Sequence, residues 1–169
     1  VSSSAASDVY KRQYLSCGEK GSLREITIAS NTIQATASSG GANIRLIGSP
    51  DKNHRIGMLT ISGNLIGSQE ANVWGTRCRG IVLSGNYIYG AEFRNVFLED
   101  CENVAFSGNC IGANPDYQVP IRQVGVRFER CLWVNMSGDM FESMSMVDPN
   151  LISQSHRPLE ALIEIHQSE

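Results

Sequence analysis

The stretch LTISGNLIG (59–67) recurs along the chain and decides the fold. Near-copies are ITIASNTIQ (26–34), IVLSGNYIY (81–89), VAFSGNCIG (104–112) and VNMSGDMFE (134–142). The anchor position holds Asn31, Asn64, Asn86, Asn109 and, in the last copy, Asp139, at intervals of 33, 22, 23 and 30 residues. The intervals describe a repeat of about 22 residues that is lengthened twice by insertions.

Each copy predicts two short strands joined by a tight bend. Around Asn64, the apolar residues Leu59, Ile61 and Ile66 alternate with small or polar residues, which is the period of a strand. The Ser-Gly-Asn corner supplies residues that tolerate a left-handed backbone. One copy cannot bury its apolar side, but stacked copies can, so the repeats predict a solenoid.

The repeat resembles the right-handed parallel β-helix family, the pectate-lyase-like solenoids, over about residues 23–169. The resemblance implies an all-β, single-stranded right-handed parallel β-helix of five to six rungs. It also implies an extracellular, cell-surface or periplasmic location, and it is the sole reason to consider calcium as a cofactor. Finally, it implies an asparagine ladder of Asn31, Asn64, Asn86 and Asn109, from which Asp139 departs, so that the last corner is expected to be opened.

Both ends of the chain suggest a fragment. SSAASDVYKRQ (3–13) resembles a translated sequencing adapter, so residues 1–13 are expected to lie outside the fold. Residues 162–169 align with residues 95–102, with Ile163 over Val96, and thus begin another repeat. The expected layout is a partial β-helix domain over residues 14–169 that is cut at both ends.

Composition bounds the function. Hydrophobic residues make up 41% and charged residues 18%, which suits one domain with a core, and the net charge of −3 does not favour nucleic acid. No apolar run is long enough to span a membrane. The five cysteines lack metal-site spacing, so no metal is expected. In the column Cys78, Cys101 and Cys131, a buried thiol ladder is favoured over a disulfide or a metal site.

Two outward columns are the candidates for chemistry, because side chains fill the interior of such a solenoid. The predicted polysaccharide-binding residues are Trp74, Phe97, Arg127 and His166, since aromatic rings stack on sugar faces and polar groups bond hydroxyls. Glu99 and Glu129 are predicted rung neighbours about 5 Å apart, the separation of a retaining glycosidase pair, with one pKa raised. The competing interpretation is a solvated face, because Arg77, Asp100 and Arg130 alternate in sign beside it.

Three functions remain open at this point. The leading hypothesis is an extracellular domain that binds or processes a polysaccharide, as a lyase or glycoside hydrolase if it is an enzyme. The alternatives are a non-enzymatic structural or adhesion solenoid, and a lyase or epimerase whose site lies in missing rungs.

Residues 49–55 and 113–123 are the loops that could wall a groove, and His54 and Asp116 are lone residues there.

Overall fold

The computed structural model describes residues 13–112 and 125–141 and the backbone of residues 163–166. The described residues form sixteen strands. In chain order these are β1 (Gln13–Ser16), β2 (Leu23–Ala29), β3 (Thr32–Gln34), β4 (Ala42–Ile47), β5 (Ile56–Ser62), β6 (Leu65–Gly67), β7 (Ala71–Thr76), β8 (Cys78–Ser84), β9 (Tyr87–Tyr89), β10 (Arg94–Glu99), β11 (Glu102–Ser107), β12 (Cys110–Gly112), β13 (Val126–Glu129), β14 (Leu132–Ser137), β15 (Met140–Phe141) and β16 (Ile163–His166).

The strands stack into three parallel sheets. Sheet A has the order β1-β4-β7-β10-β13-β16, sheet B has β14-β11-β8-β5-β2, and sheet C has β15-β12-β9-β6-β3. Every third strand therefore returns to the same sheet, one rung further along, in the right-handed sense that parallel crossovers adopt. Over the described residues the chain is a right-handed parallel β-helix with five complete rungs and the first strand of a sixth, as the resemblance implied.

The apolar columns of the repeat form the core. Leu59, Ile61 and Ile66 are 0 or 1% exposed, and their counterparts in neighbouring rungs pair with them in register. Phe106 and Phe128 meet edge to face, with their ring centroids 6.3 Å apart, in the same interior. The stacking buries the apolar side that a single copy would leave in water.

Left-handed backbone conformations recur at fixed positions in successive rungs. One column lies inside the sheet B strands (Glu25, Met58, Gly80, Asn103, Trp133), a second precedes the anchor (Ser30, Gly63, Gly85, Gly108, Gly138), and a third turns sheet A into sheet B (Arg77, Asp100, Arg130). A positive φ in so many non-glycine residues is uncommon. It is tolerated here because each corner hydrogen-bonds the next rung, as Gly63 N–H does to the Ser84 carbonyl.

The asparagine ladder is confirmed. The Asn64 amide nitrogen donates to Asn86 Oδ1 at 3.0 Å, and Asn86 donates to Asn109 Oδ1 at 2.9 Å. Asn31 begins the series by donating to Asn64 Oδ1 at 3.0 Å. Asp139 does not open the corner: its Oδ1 accepts from Asn109 Nδ2 at 2.9 Å and so continues the ladder as an acceptor.

A second ladder, which the repeat alignment did not reveal, lies at the entry to sheet A. Asn43, Asn72 and Asn95 are fully buried. Asn43 Nδ2 donates to Asn72 Oδ1 at 2.9 Å, and Asn72 Nδ2 donates to Asn95 Oδ1 at 2.8 Å. Each amide also donates to a backbone carbonyl at the end of sheet C, as Asn72 does to Tyr89 at 2.7 Å. Two polar ladders therefore flank the strands of sheets A and B.

The cysteine column is a stack of buried thiols. Cys78, Cys101 and Cys131 are between 0 and 4% exposed, and none of the five cysteines forms a disulfide. The Cys131 thiol donates to the Leu98 carbonyl at 3.3 Å. Its pKa is raised by the hydrogen bond with Cys101 and by burial, so the thiol stays protonated and packs as a small apolar group.

Candidate functional site

The outer face of sheet A carries the predicted columns in register. Phe97 pairs with Trp74 on one side and Arg127 on the other, and Glu99 pairs with Glu129. The backbone of His166 pairs with Glu129, which confirms its position in the column, but its side chain lies outside the described residues. The structure therefore brings together five of the six predicted site residues, and we call this face the sheet A strip.

Two further residues extend the strip. Arg45 pairs with Trp74, and Tyr14 pairs with Arg45, so the outer row reads Tyr14, Arg45, Trp74, Phe97 and Arg127. Sequence reasoning missed Tyr14 and Arg45 because residues 17–22 and 48–55 lengthen the first two rungs between sheets A and B and shift the count from the anchor. The available signal was the alternation in ANIRLI (42–47) and QYLS (13–16).

The aromatic residues of the strip pack on each other. The Trp74 and Phe97 ring centroids are 5.4 Å apart with a tilt of 38°, and Phe93 meets Phe97 edge-on at 6.0 Å. Phe97 is only 7% exposed even though it lies on the outer face. Trp74 is half-buried, and Tyr14 is 65% exposed. Trp74 and Tyr14 therefore keep exposed surface on this face, whereas Phe97 is buried and supports Trp74 from the side.

Arg45 lies over the Trp74 ring. Its guanidinium carbon is 3.6 Å from the ring centroid, which is a close cation–π contact. Burial lowers the pKa of Arg45, and its buried Nη1 has no hydrogen-bond partner in the part of the chain that the structure describes. Trp74 itself is held by its Nε1, which donates to Glu99 Oε2 at 3.0 Å.

Arginines bind Glu129 and lie near Glu99. Arg127 Nη2 lies 2.8 Å from Glu129 Oε2, and Arg130 bonds the other oxygen of Glu129. Arg130 Nη2 is also 3.9 Å from Glu99 Oε1. The hydrogen bond from Arg130 and the nearby charge of Arg127 hold the pKa of Glu129 below its ordinary value. Glu129 is therefore not a member of the pair with a raised pKa, because the two arginines favour its charged form.

The charged corner beside the strip is a network of ion pairs. Arg130 grips Asp100 with two hydrogen bonds, at 2.7 Å from Nε and 3.2 Å from Nη2, and these lower the pKa of Asp100. A groove of about 280 Å³ adjoins this corner and is lined in part by Lys52, Arg55 and Glu102. Arg55 donates to Glu102 Oε1 at 3.3 Å, so the groove's buried cation already has an anionic partner.

The loop residues are placed as follows. His54 is not alone, because its Nδ1 lies 2.8 Å from Asp51 Oδ2 in an exposed pair. The pKa of Asp51 is lowered by the backbone N–H of Asn53 and by His54. Asp116 lies outside the described residues. Among residues 13–112 and 125–141, no group of three histidine, cysteine or acidic side chains is arranged to hold a metal ion.

The chain matches no family model, no curated protein and no solved structure. Within the part that the structure describes, no helix has the length and apolar character needed to cross a bilayer. Function has to be inferred from the geometry of the chain itself.

Proposed function

We propose that this β-helix is a pectate-lyase-like domain, secreted or on the cell surface, that binds a polysaccharide along the sheet A strip. The observation that carries the proposal is the in-register outer row Tyr14, Arg45, Trp74, Phe97 and Arg127 on one face of a six-stranded sheet.

The strip offers both kinds of contact that a sugar chain uses. Exposed Tyr14 and half-buried Trp74, the latter beneath Arg45, supply aromatic rings, and pyranose rings stack on aromatic faces through their own apolar faces. Thr76, Glu99 and Glu129 run beside the rings and offer hydroxyl and carboxylate oxygens to sugar hydroxyls. The row advances about 4.8 Å per rung, so an extended linear polymer can follow it across several strands.

The proposal is binding rather than cleavage by Glu99 and Glu129. A general acid needs a raised pKa to hold its proton near neutral pH. Glu129 has the opposite shift, and both of its carboxylate oxygens are bound by arginines. Glu99 is bonded to Trp74 Nε1 and serves to orient that ring.

The test compares the chain's two tryptophans. Trp74→Ala removes the central ring of the strip, whereas Trp133→Ala removes a ring that is 70% exposed on sheet B. Retention of each variant is measured by affinity electrophoresis on a panel of neutral and uronate polysaccharides. We expect a loss of affinity of about fivefold or more for Trp74→Ala and none for Trp133→Ala, since loss of a stacked aromatic anchor costs about 1–3 kcal/mol.

Two results would contradict the proposal. Equal retention of Trp74→Ala and Trp133→Ala would show that the polysaccharide does not bind at the strip. No retention of the unmodified chain on any polysaccharide would favour a structural or adhesion solenoid instead. Chain cleavage is scored in the same samples, and turnover lost with Glu129→Gln would restore a catalytic role for the carboxylates.

A further inference from the structure

The central ring of the strip is covered in the ligand-free protein. Arg45 lies over one face of Trp74 at 3.6 Å, and Phe97 packs on the ring at 5.4 Å. A sugar that stacks on Trp74 needs one ring face open. One of the two covering side chains must therefore move before the proposed ligand can bind.

The contacts decide which side chain moves. Trp74 is fixed through its Nε1 bond to Glu99, and Phe97 is 7% exposed and wedged against Phe93 and Trp74. Arg45 has no ion pair or side-chain hydrogen bond within the described residues, and its Nη1 is buried without an acceptor. An arginine with an unsatisfied buried donor regains hydrogen bonds when it swings into water or onto a polar ligand. Arg45 is thus the side chain held least firmly.

We propose that Arg45 is a displaceable lid over Trp74, which a pyranose ring of the polysaccharide replaces on the ring face. The inference rests on the proposed function and adds the residue that controls access to its central subsite. In the closed position, the cation–π contact and the charge of Glu99 hold the lid. The subsite on Trp74 therefore favours ligands that stack strongly enough to displace the Arg45 guanidinium. It discriminates against polymers that have no apolar ring face.

The first measurement needs no polysaccharide. Trp133→Phe leaves Trp74 as the single tryptophan, because the chain has two. Quenching of its fluorescence by uncharged acrylamide then reports how open the Trp74 ring is. We expect Arg45→Ala in this background to raise the quenching constant at least twofold, since a ring with both faces covered gains one open face. Arg24→Ala, which removes an exposed arginine from β2, is the matched charge control and should change nothing.

The second measurement is affinity for whichever neutral polysaccharide the unmodified chain retains. Because it has no lid to displace, Arg45→Ala should bind the polysaccharide about two- to fivefold more tightly. This factor corresponds to the free energy of one exposed cation–π contact, which the ligand no longer has to break. Circular dichroism confirms the fold, and Arg45→Gln replaces Arg45→Ala if the alanine variant unfolds.

The outcomes separate the lid from the function. Unchanged quenching in Arg45→Ala would overturn the lid. Raised quenching with weaker binding would also overturn it, because Arg45 would then be a ligand contact. Raised quenching with tighter binding supports the inference. Raised quenching with no binding to any polysaccharide would uphold the lid geometry and overturn the proposed function.

Discussion

Replacing Asp139 by asparagine should stabilise the protein, because the ladder ends in the wrong functional group. Asp139 Oδ1 accepts from the backbone N–H and the side-chain amide of Asn109, at 2.8 and 2.9 Å. Its other oxygen, Oδ2, is buried and has no hydrogen-bond partner among the residues that the structure describes. A buried polar atom without a partner costs about 1–3 kcal/mol.

The preceding rungs show what an asparagine would gain. Asn86 Nδ2 donates to the Ile61 carbonyl at 2.9 Å, and Asn109 Nδ2 donates to the Leu83 carbonyl at 3.0 Å. One rung further, the equivalent acceptor for residue 139 is the Phe106 carbonyl. Asp139→Asn changes no volume, removes the unsatisfied oxygen and adds one donor. We expect a net gain of about 1–2 kcal/mol in the free energy of unfolding. For a chain of this size, the gain corresponds to a rise of about 2–8 °C in Tm.

The assay is urea and thermal unfolding followed by circular dichroism. Glu25→Gln, at an exposed position, removes one negative charge without touching the ladder and should leave Tm unchanged. Asn86→Asp makes the reverse change inside the ladder and should destabilise by about 3 kcal/mol or more, because a carboxylate then faces two acceptors. An Asp139→Asn variant no more stable than the parent, beside a destabilised Asn86→Asp, would refute the hydrogen-bond reasoning at the last corner.

Two further predictions concern the charged corner beside the strip and the cysteine thiols. Because Arg130 lowers the pKa values of Asp100 and Glu129 from 3.8 and 4.5, their stabilisation is complete above those values and is lost as the pH falls below them. In Arg130→Ala, Tm should therefore fall less steeply between about pH 4.5 and pH 2.5 than in Arg24→Ala, and coincident acid limbs would contradict this. Native alkylation followed by mass spectrometry should modify half-buried Cys110 before the four buried thiols, and early labelling of Cys131 would show that the column is open.

The sequence predicted the repeated parts of the fold and missed the parts that depend on corners. The columns around Asn64 and Asn86 could be read because core packing forces the same apolar pattern on every rung. Asn72 escaped notice since it precedes inward Val73, and strict alternation places it outside; at the strand entry the backbone turns and buries it. The arrangement of Arg130 among three carboxylates depends on rotamers, which residue types alone do not specify.

The two ladders also fix where the strip lies. Alternation alone would allow a strand of sheet A to slip by two residues, since Val73 and Gly75 both face inward. The same slip would pull Asn72 from Asn95 and leave buried amides unpaired, at about 1–3 kcal/mol for each group. The polar ladder, more than the apolar core, therefore specifies the register that sets Trp74 opposite Arg45 and Phe97. A ladder variant such as Asn72→Leu can keep the apolar core packed while the strand shifts and the residues of the strip no longer align. Ligand binding therefore reports a change of register more sensitively than the free energy of unfolding does.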